Sequence, residues 1–278
     1  MKIHLLILIL LFTFSSNVYS QKKKNNKIEF IKPTPASLRI DDYKKRLELE
    51  TNSIVKNIHF RNIGPTVMSG RVVDFAVNPD DPTHFYVAYA SGGLWETKNH
   101  GNTFTPIFDN KIVMTLGDVE VDWKNKIIYV GTGENNSSRS SYSGVGMFKS
   151  SDNGKSWKHI GLDDSHHIGR IIVHPENPDI IWVAALGHLY SENEERGVYK
   201  STDAGKTWTK TLFVNNRTGA IDIVVDKKSP DILYASMWEK DRKAWNFDGS
   251  GIGSGIYKSI DGGENWVEIS GGESGFPD

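Results

Sequence analysis

The octapeptide "STDAGKTW", Ser201–Trp208, admits two readings. A serine, an aspartate and a threonine around a glycine suit either a catalytic centre or a tight turn. Repetition separates the two, because an active site is built once whereas a structural device recurs with the unit it serves. The pattern returns as "SSDNGKSW" (Ser150–Trp157) and "SIDGGENW" (Ser259–Trp266). A weaker copy, "TKNHGNTF" (Thr97–Phe104), has Asn99 for the aspartate and Phe104 for the tryptophan. The shared glycines Gly101, Gly154, Gly205 and Gly263 are 53, 51 and 58 residues apart. That period slightly exceeds the roughly 40 to 50 residues of a propeller blade, leaving room for four short strands and one long loop.

Aligned on their glycines, the four copies share one order of elements. An apolar strand comes first, as in "RVVDFAV" from Arg71 or "AIDIVVD" from Ala220. A proline-containing turn such as "NPDDP" or "HPENPD" ends it, since proline fixes φ and removes a donor. A second strand such as "IIYVGTG" or "IIWVAAL" leads through a variable loop to a third, such as "GVYKS". The box then makes the hairpin into the fourth. Within it, Asp152, Asp203 and Asp261 are placed to accept hydrogen bonds from the turn's own amides. Gly154, Gly205 and Gly263 tolerate positive φ, and Trp157, Trp208 and Trp266 bury a large ring. The box is therefore structural. The expected fold is all-β: a β-propeller of four-stranded antiparallel blades at about 64–108, 115–162, 167–213 and 219–270, within a propeller region 54–278.

Composition narrows the function. The 278 residues carry 33 Lys+Arg against 34 Asp+Glu, a balance that argues against nucleic acid or anionic membrane as partner. Residues 1–20 read as a secretory signal peptide, because one lysine precedes an apolar run from Leu5 to Phe14 that is too short to span a bilayer comfortably. Residues 21–53 read as a linker with a short helical patch around "DDYKKRLELE". With no cysteine, the mature chain is expected outside the cytoplasm, secreted, periplasmic or at the cell surface, and stable without disulfides.

The boxes resemble the Asp-box, or bacterial neuraminidase repeat, propellers, whose signature is Ser-x-Asp-x-Gly-x-Thr-Trp between the third and fourth strands. The family includes sialidases, xyloglucan-cleaving endoglucanases and sortilin-type ectodomains. "GVYKSTDAGKTW" most resembles bacterial secreted proteins of the sortilin N-terminal type. The resemblance implies a ring of more than four blades. It also implies a glycoside hydrolase as the alternative to a binding module. In the xyloglucan-cleaving members an "Arg-Thr-Asp-Ile-Gly-Gly" stretch carries a catalytic aspartate; here "AYASGG" places Ala90 at that position. "FRNIGP" (Phe60–Pro65) resembles the Phe-Arg-Ile-Pro motif of sialidases, but inserted residues break it, and only Arg61 would carry over.

Propeller topology puts the loops between second and third strands on one face with the links between blades, opposite the boxes. Four segments there break the repeat: "GENNSSRSSYSG" (133–144), "GLDDSHH" (161–167), "GHLYSENEERG" (187–197) and "EKDRKAWNFDGSG" (239–251). Chemically rich loops on a rigid scaffold are the default binding face. The candidate ligand-binding residues are Glu134, Asn135, Arg139, Tyr142, Asp164, His166, His167, His188, Tyr190, Glu195, Arg242, Trp245 and Asp248. Trp238 and Trp245 are the two tryptophans outside the repeat positions; Trp238 either joins this site or packs beneath its own loop. Arg71 and Arg170 either point into the channel or tie blades together. No catalytic carboxylate pair is selected, and no cofactor or metal is expected, since the histidines lack helical or ribbon ligand spacing. The expected partner is an extracellular peptide, protein or carbohydrate. No transmembrane segment is expected.

Overall fold

A computed structural model describes residues 32–58 and 70–270 of the chain. The signal-peptide reading of residues 1–20, Arg61, and the first residues assigned to blade one lie outside them. The first helix, α1 (Ala36–Asn52), is longer than the ten-residue patch read from the sequence. Its Arg39 Nη1 donates to the Gly144 carbonyl at 2.7 Å, and Arg46 Nη2 donates to the Asn110 carbonyl at 2.8 Å. The helix is thus pinned to the strand-bearing part of the chain by its own basic side chains. Among the described residues no helix is long and apolar enough to cross a membrane.

Four antiparallel sheets follow, each a simple meander. The first is β1 (Val72–Val77), β2 (Phe85–Tyr89), β3 (Gly93–Thr97) and β4 (Thr105–Pro106); the second is β5 (Leu116–Asp122), β6 (Ile127–Thr132), β7 (Met147–Ser150) and β8 (Lys158–His159). The third comprises β9 (Ile168–Val173), β10 (Ile181–Ala185), β11 (Gly197–Ser201) and β12 (Thr209–Leu212). In the fourth, β13 (Thr218–Val225) and β14 (Leu233–Glu239) are followed by a small hairpin, β15 (Asp241–Arg242) and β16 (Phe247–Asp248). β17 (Gly255–Ser259) and β18 (Val267–Glu268) complete that sheet.

The sheets stack face to face because their middle strands are apolar on both sides. Side chains alternate across a strand. Ile128 and Val130 of β6 accordingly pack toward the first sheet with Leu94, Phe108 and Leu116, while Tyr129 packs toward the third with Ile168, Ile181 and Val183. A third core joins sheets three and four through Trp182, Val198, Ile223 and Met237. Trp157, Trp208 and Trp266 seal these seams. Trp157 Nε1 donates to the Ile107 carbonyl at 2.8 Å and Trp208 Nε1 to the Ile160 carbonyl at 2.7 Å, in each case to the preceding sheet.

The box turns work as the sequence predicts, with one addition. Asp203 accepts from the amides of Lys206 and Thr207, both at 2.9 Å, and Gly205 sits at φ +84°. The addition is the first residue of the box. Ser201 is buried, and its Oγ accepts from the Gly205 amide at 2.9 Å while donating to Asp203 Oδ1 at 2.8 Å. Ser150, Ser259 and, in the weak copy, Thr97 repeat the bond to the box glycine.

A second repeated device lies on the first strand of each sheet, termed the inner strand because it packs against the first strand of the neighbouring sheet. β1, β5, β9 and β13 each pair with the next strand through a bulge, which skips Val73, Gly117, Gly169 and Ile221 respectively. The residue after each bulge is Asp74, Asp118, Arg170 or Asp222. Arg170 contacts all three carboxylates: Nη1 lies 2.9 Å from Asp118 Oδ1 and 3.6 Å from Asp74 Oδ1, and Nε 2.9 Å from Asp222 Oδ1. Of the two readings of Arg170, tying neighbouring blades together is the one observed. Against burial, these carboxylates raise its pKa above the ordinary value.

Candidate functional site

The loops between second and third strands meet the links between sheets at one end of the stack. The Gly144 amide donates to the His166 carbonyl at 2.6 Å and the Leu186 amide to the His167 carbonyl at 2.8 Å. Close approach explains Gly133, at φ +87°: a Cβ there would fall 1.7 Å from the His166 carbonyl oxygen.

Three predicted site residues serve this framework. Glu134 is 1% exposed and paired with Arg71, whose Nε lies 2.8 Å from Oε1; Asn136 Nδ2 donates to the same oxygen at 3.0 Å. It bridges sheets one and two and is no free acid or base. Arg71 therefore also ties blades. Asn135 Nδ2 donates to the Gly169 carbonyl at 3.2 Å, across to sheet three. His167 is buried, and burial, reinforced by Lys240, pushes its imidazole down to about 3.

Beneath the loop tips the structure gathers Asp164, His166 and His188. The members of this group come from two segments, the link 161–167 and the loop 187–197, which the sequence reading sets on one face together with His167 and Asp163. His188 Nε2 is 3.1 Å from Asp164 Oδ2 and His166 Nε2 is 3.4 Å from Asp164 Oδ1. The two rings stack with centroids 3.6 Å apart. Burial, with His188 as the next cause, pushes His166 down to about 2; burial also lowers His188, against the opposing pull of Asp164. Glu195 Oε2 accepts the Asp164 amide at 2.9 Å, and burial raises the Glu195 carboxyl. Arg196, missed in the sequence, organises the loop. Its Nη1 donates to the carbonyls of Leu186 (2.8 Å) and Arg217 (3.1 Å), and its Nη2 to those of His188 (2.8 Å) and Ser191 (2.9 Å).

Above this group three loop tips touch. Tyr190 OH donates to the Arg139 carbonyl at 2.9 Å, and Arg139 Nη1 reaches the Ala244 carbonyl at 3.4 Å. Sheets two, three and four thus share one rim, on which Trp245 is 73% exposed and Tyr190 47%. Tyr142 is 62% exposed on the same loop as Arg139. Arg242 lies over the Phe247 ring at 4.4 Å, and Asp248 accepts from Asn246 at 3.1 Å; both stabilise the β15–β16 hairpin. Trp238, near the end of β14, packs against that hairpin. Its Nε1 donates to the Gly249 carbonyl at 2.8 Å and its ring meets Phe247 edge-on, so it packs beneath its own loop. Ala90 is buried at the end of β2, its amide bonded to the Arg71 carbonyl.

Residues 146–276 match the family model "Sortilin-Vps10: Sortilin, neurotensin receptor 3". That stretch is similar to the sortilin family. That span contains the three strong boxes and the Asp164, His166 and His188 group. No curated protein matches the chain. Among solved structures, an ancestral GH74 enzyme shares 20% identity over 77% of this chain and 25% of its own, with a TM-score of 0.57. The Niastella koreensis GH74 enzyme shares 21% over 70% of this chain and 29% of its own, with a TM-score of 0.53. The GH74 xyloglucanase from Xanthomonas campestris shares 16% over the same fractions, with a TM-score of 0.51. At these identities the likeness concerns the fold alone. The chain spans 25–29% of the length of these structures.

Proposed function

We propose that this sortilin-type segment is a secreted binding module, and that its loop rim grips an extended peptide or glycan. The observation that carries the reading is the shared rim itself. Three sheets contribute to one ledge through Arg139, and aromatic side chains stand exposed on it, suited to stacking on a sugar ring or an apolar side chain. Three carboxylates of this face are held in place: Glu134 by Arg71, Asp164 beside His188 at 3.1 Å, and Glu239 by the Gly253 amide at 2.9 Å. A glycosidase needs two carboxyl groups across the scissile bond. Buried Ala90 supplies none.

Calorimetry and glycan or peptide arrays with the purified chain test the proposal. Trp245→Ala is expected to weaken binding about tenfold while leaving the melting temperature unchanged, since the ring is exposed. Turnover of xyloglucan oligosaccharides that disappears in Glu195→Gln would instead establish a hydrolase.

A further inference from the structure

We propose that Asp164, His166 and His188 form a three-ligand site for a divalent transition-metal ion of the zinc class. The inference concerns the floor under the rim and does not depend on what the rim binds. Each residue offers one ligand atom, and these atoms all lie within 4.8 Å of one another. The spacing is informative. Zinc bonds to nitrogen and oxygen of roughly 2.0 to 2.2 Å make the edge of a tetrahedral site roughly 3.3 to 3.5 Å. The two histidines reach different oxygens of Asp164, His188 at 3.1 Å from Oδ2 and His166 at 3.4 Å from Oδ1, both near that edge, and uptake of one ion would part the rings now stacked at 3.6 Å. Three protein ligands with a fourth position left for water or a bound group is the arrangement of an open zinc site.

Two further observations point to a ligand. His166 and His188 are 8% and 4% exposed, yet neither Nε2 has a partner in hydrogen-bond geometry among the described residues; Asp164, at 3.1 and 3.4 Å, is their ion-pair neighbour. Two buried imidazole nitrogens without a hydrogen bond, facing one carboxylate, are costly unless something bonds to them. Behind His188, Nδ1 lies 2.7 Å from Ser191 Oγ, an outer contact that orients the ring and leaves Nε2 facing Asp164.

The neighbouring cations oppose a metal, and they supply a test. Arg196 is occupied by four carbonyls, and Lys240 Nζ lies 3.4 Å from the His188 carbonyl. Arg39 of α1 interacts electrostatically with Asp164 and is the direct competitor. Chelator-treated, untagged protein is titrated with Zn2+, and separately with Co2+ while visible absorption is recorded. Wild type is expected to take up one equivalent and to show the strong d–d bands of low-coordinate Co2+. His188→Asn and Asp164→Asn should each weaken zinc at least about tenfold. Arg39→Met should tighten it severalfold, and the exposed His100→Asn should change nothing. Melting curves report whether each variant is folded. Failure of the wild-type chain to bind either ion, or a folded His188→Asn variant with wild-type affinity, overturns the site.

Discussion

The hydroxyl of Ser201 is the buried hub of its box, whereas the carboxylate of Asp203 lies nearer the surface. Ser201→Ala removes the acceptor of the Gly205 amide and is expected to cost about 1 to 3 kcal/mol by denaturant unfolding, without altering ligand affinity. Loss of binding in an equally stable variant would return the box to a functional role. Glu120 makes a different prediction. Burial, with Asp74 as the next cause, raises its carboxyl to about 7 from an ordinary 4.5. The folded state therefore holds this proton more tightly than the unfolded chain. Its contribution to stability is greatest below about 4.5 and is lost as pH rises through about 7. Glu120→Gln should leave stability near pH 4 little changed and raise it by about 1 to 2 kcal/mol at pH 8, after allowance for solvent screening. Melting temperatures across that range decide it; a parallel pair of curves would refute the buried, protonated carboxyl.

At the scale of elements, the boxes and the inner strands differ in how openly the sequence shows them. The boxes were legible because glycine, acid and tryptophan recur at fixed offsets, each demanded by the local geometry of a turn. The inner-strand device was just as regular, with Asp74, Asp118, Arg170 and Asp222 at equivalent places, but one of the four has the opposite charge. A search for identity therefore misses it, although the charge reversal is what lets the group cohere. Arg170→Asp would set four acidic side chains together and is expected to destabilise the chain by about 2 to 4 kcal/mol. Adding Asp118→Arg should recover part of that loss in equilibrium unfolding. A double variant no more stable than the single one would mean that the contacts, not the charges, matter.

For the molecule as a whole, the meander order of the sheets and the separation of boxes from variable loops follow from the repeat. The membership of the site does not. Glu134 and Asn135 were chosen for their chemistry, yet the framework uses them, because a polar side chain in a loop of a stacked fold is as often a strut as a ligand. Asp164, His166 and His188 meet only because the link into sheet three folds against a loop 20 residues farther on, a juxtaposition with no local periodicity. The extent of α1 escaped as well. Its docking relies on Arg39 and Arg46 reaching carbonyls about a hundred and about sixty residues away.

The lone cation among the inner-strand carboxylates also gives the repeats an address. By box and strand alone, one unit could be exchanged for another. Arg170 makes the third unit distinct: moved to another place in the series, it would leave its former neighbours without a counter-charge. A chain assembled with its units shuffled would keep every turn and every seam tryptophan and still be out of sequence along its first strands. Recombination between repeats, the usual hazard of a tandem gene, would thus meet an electrostatic check on unit order.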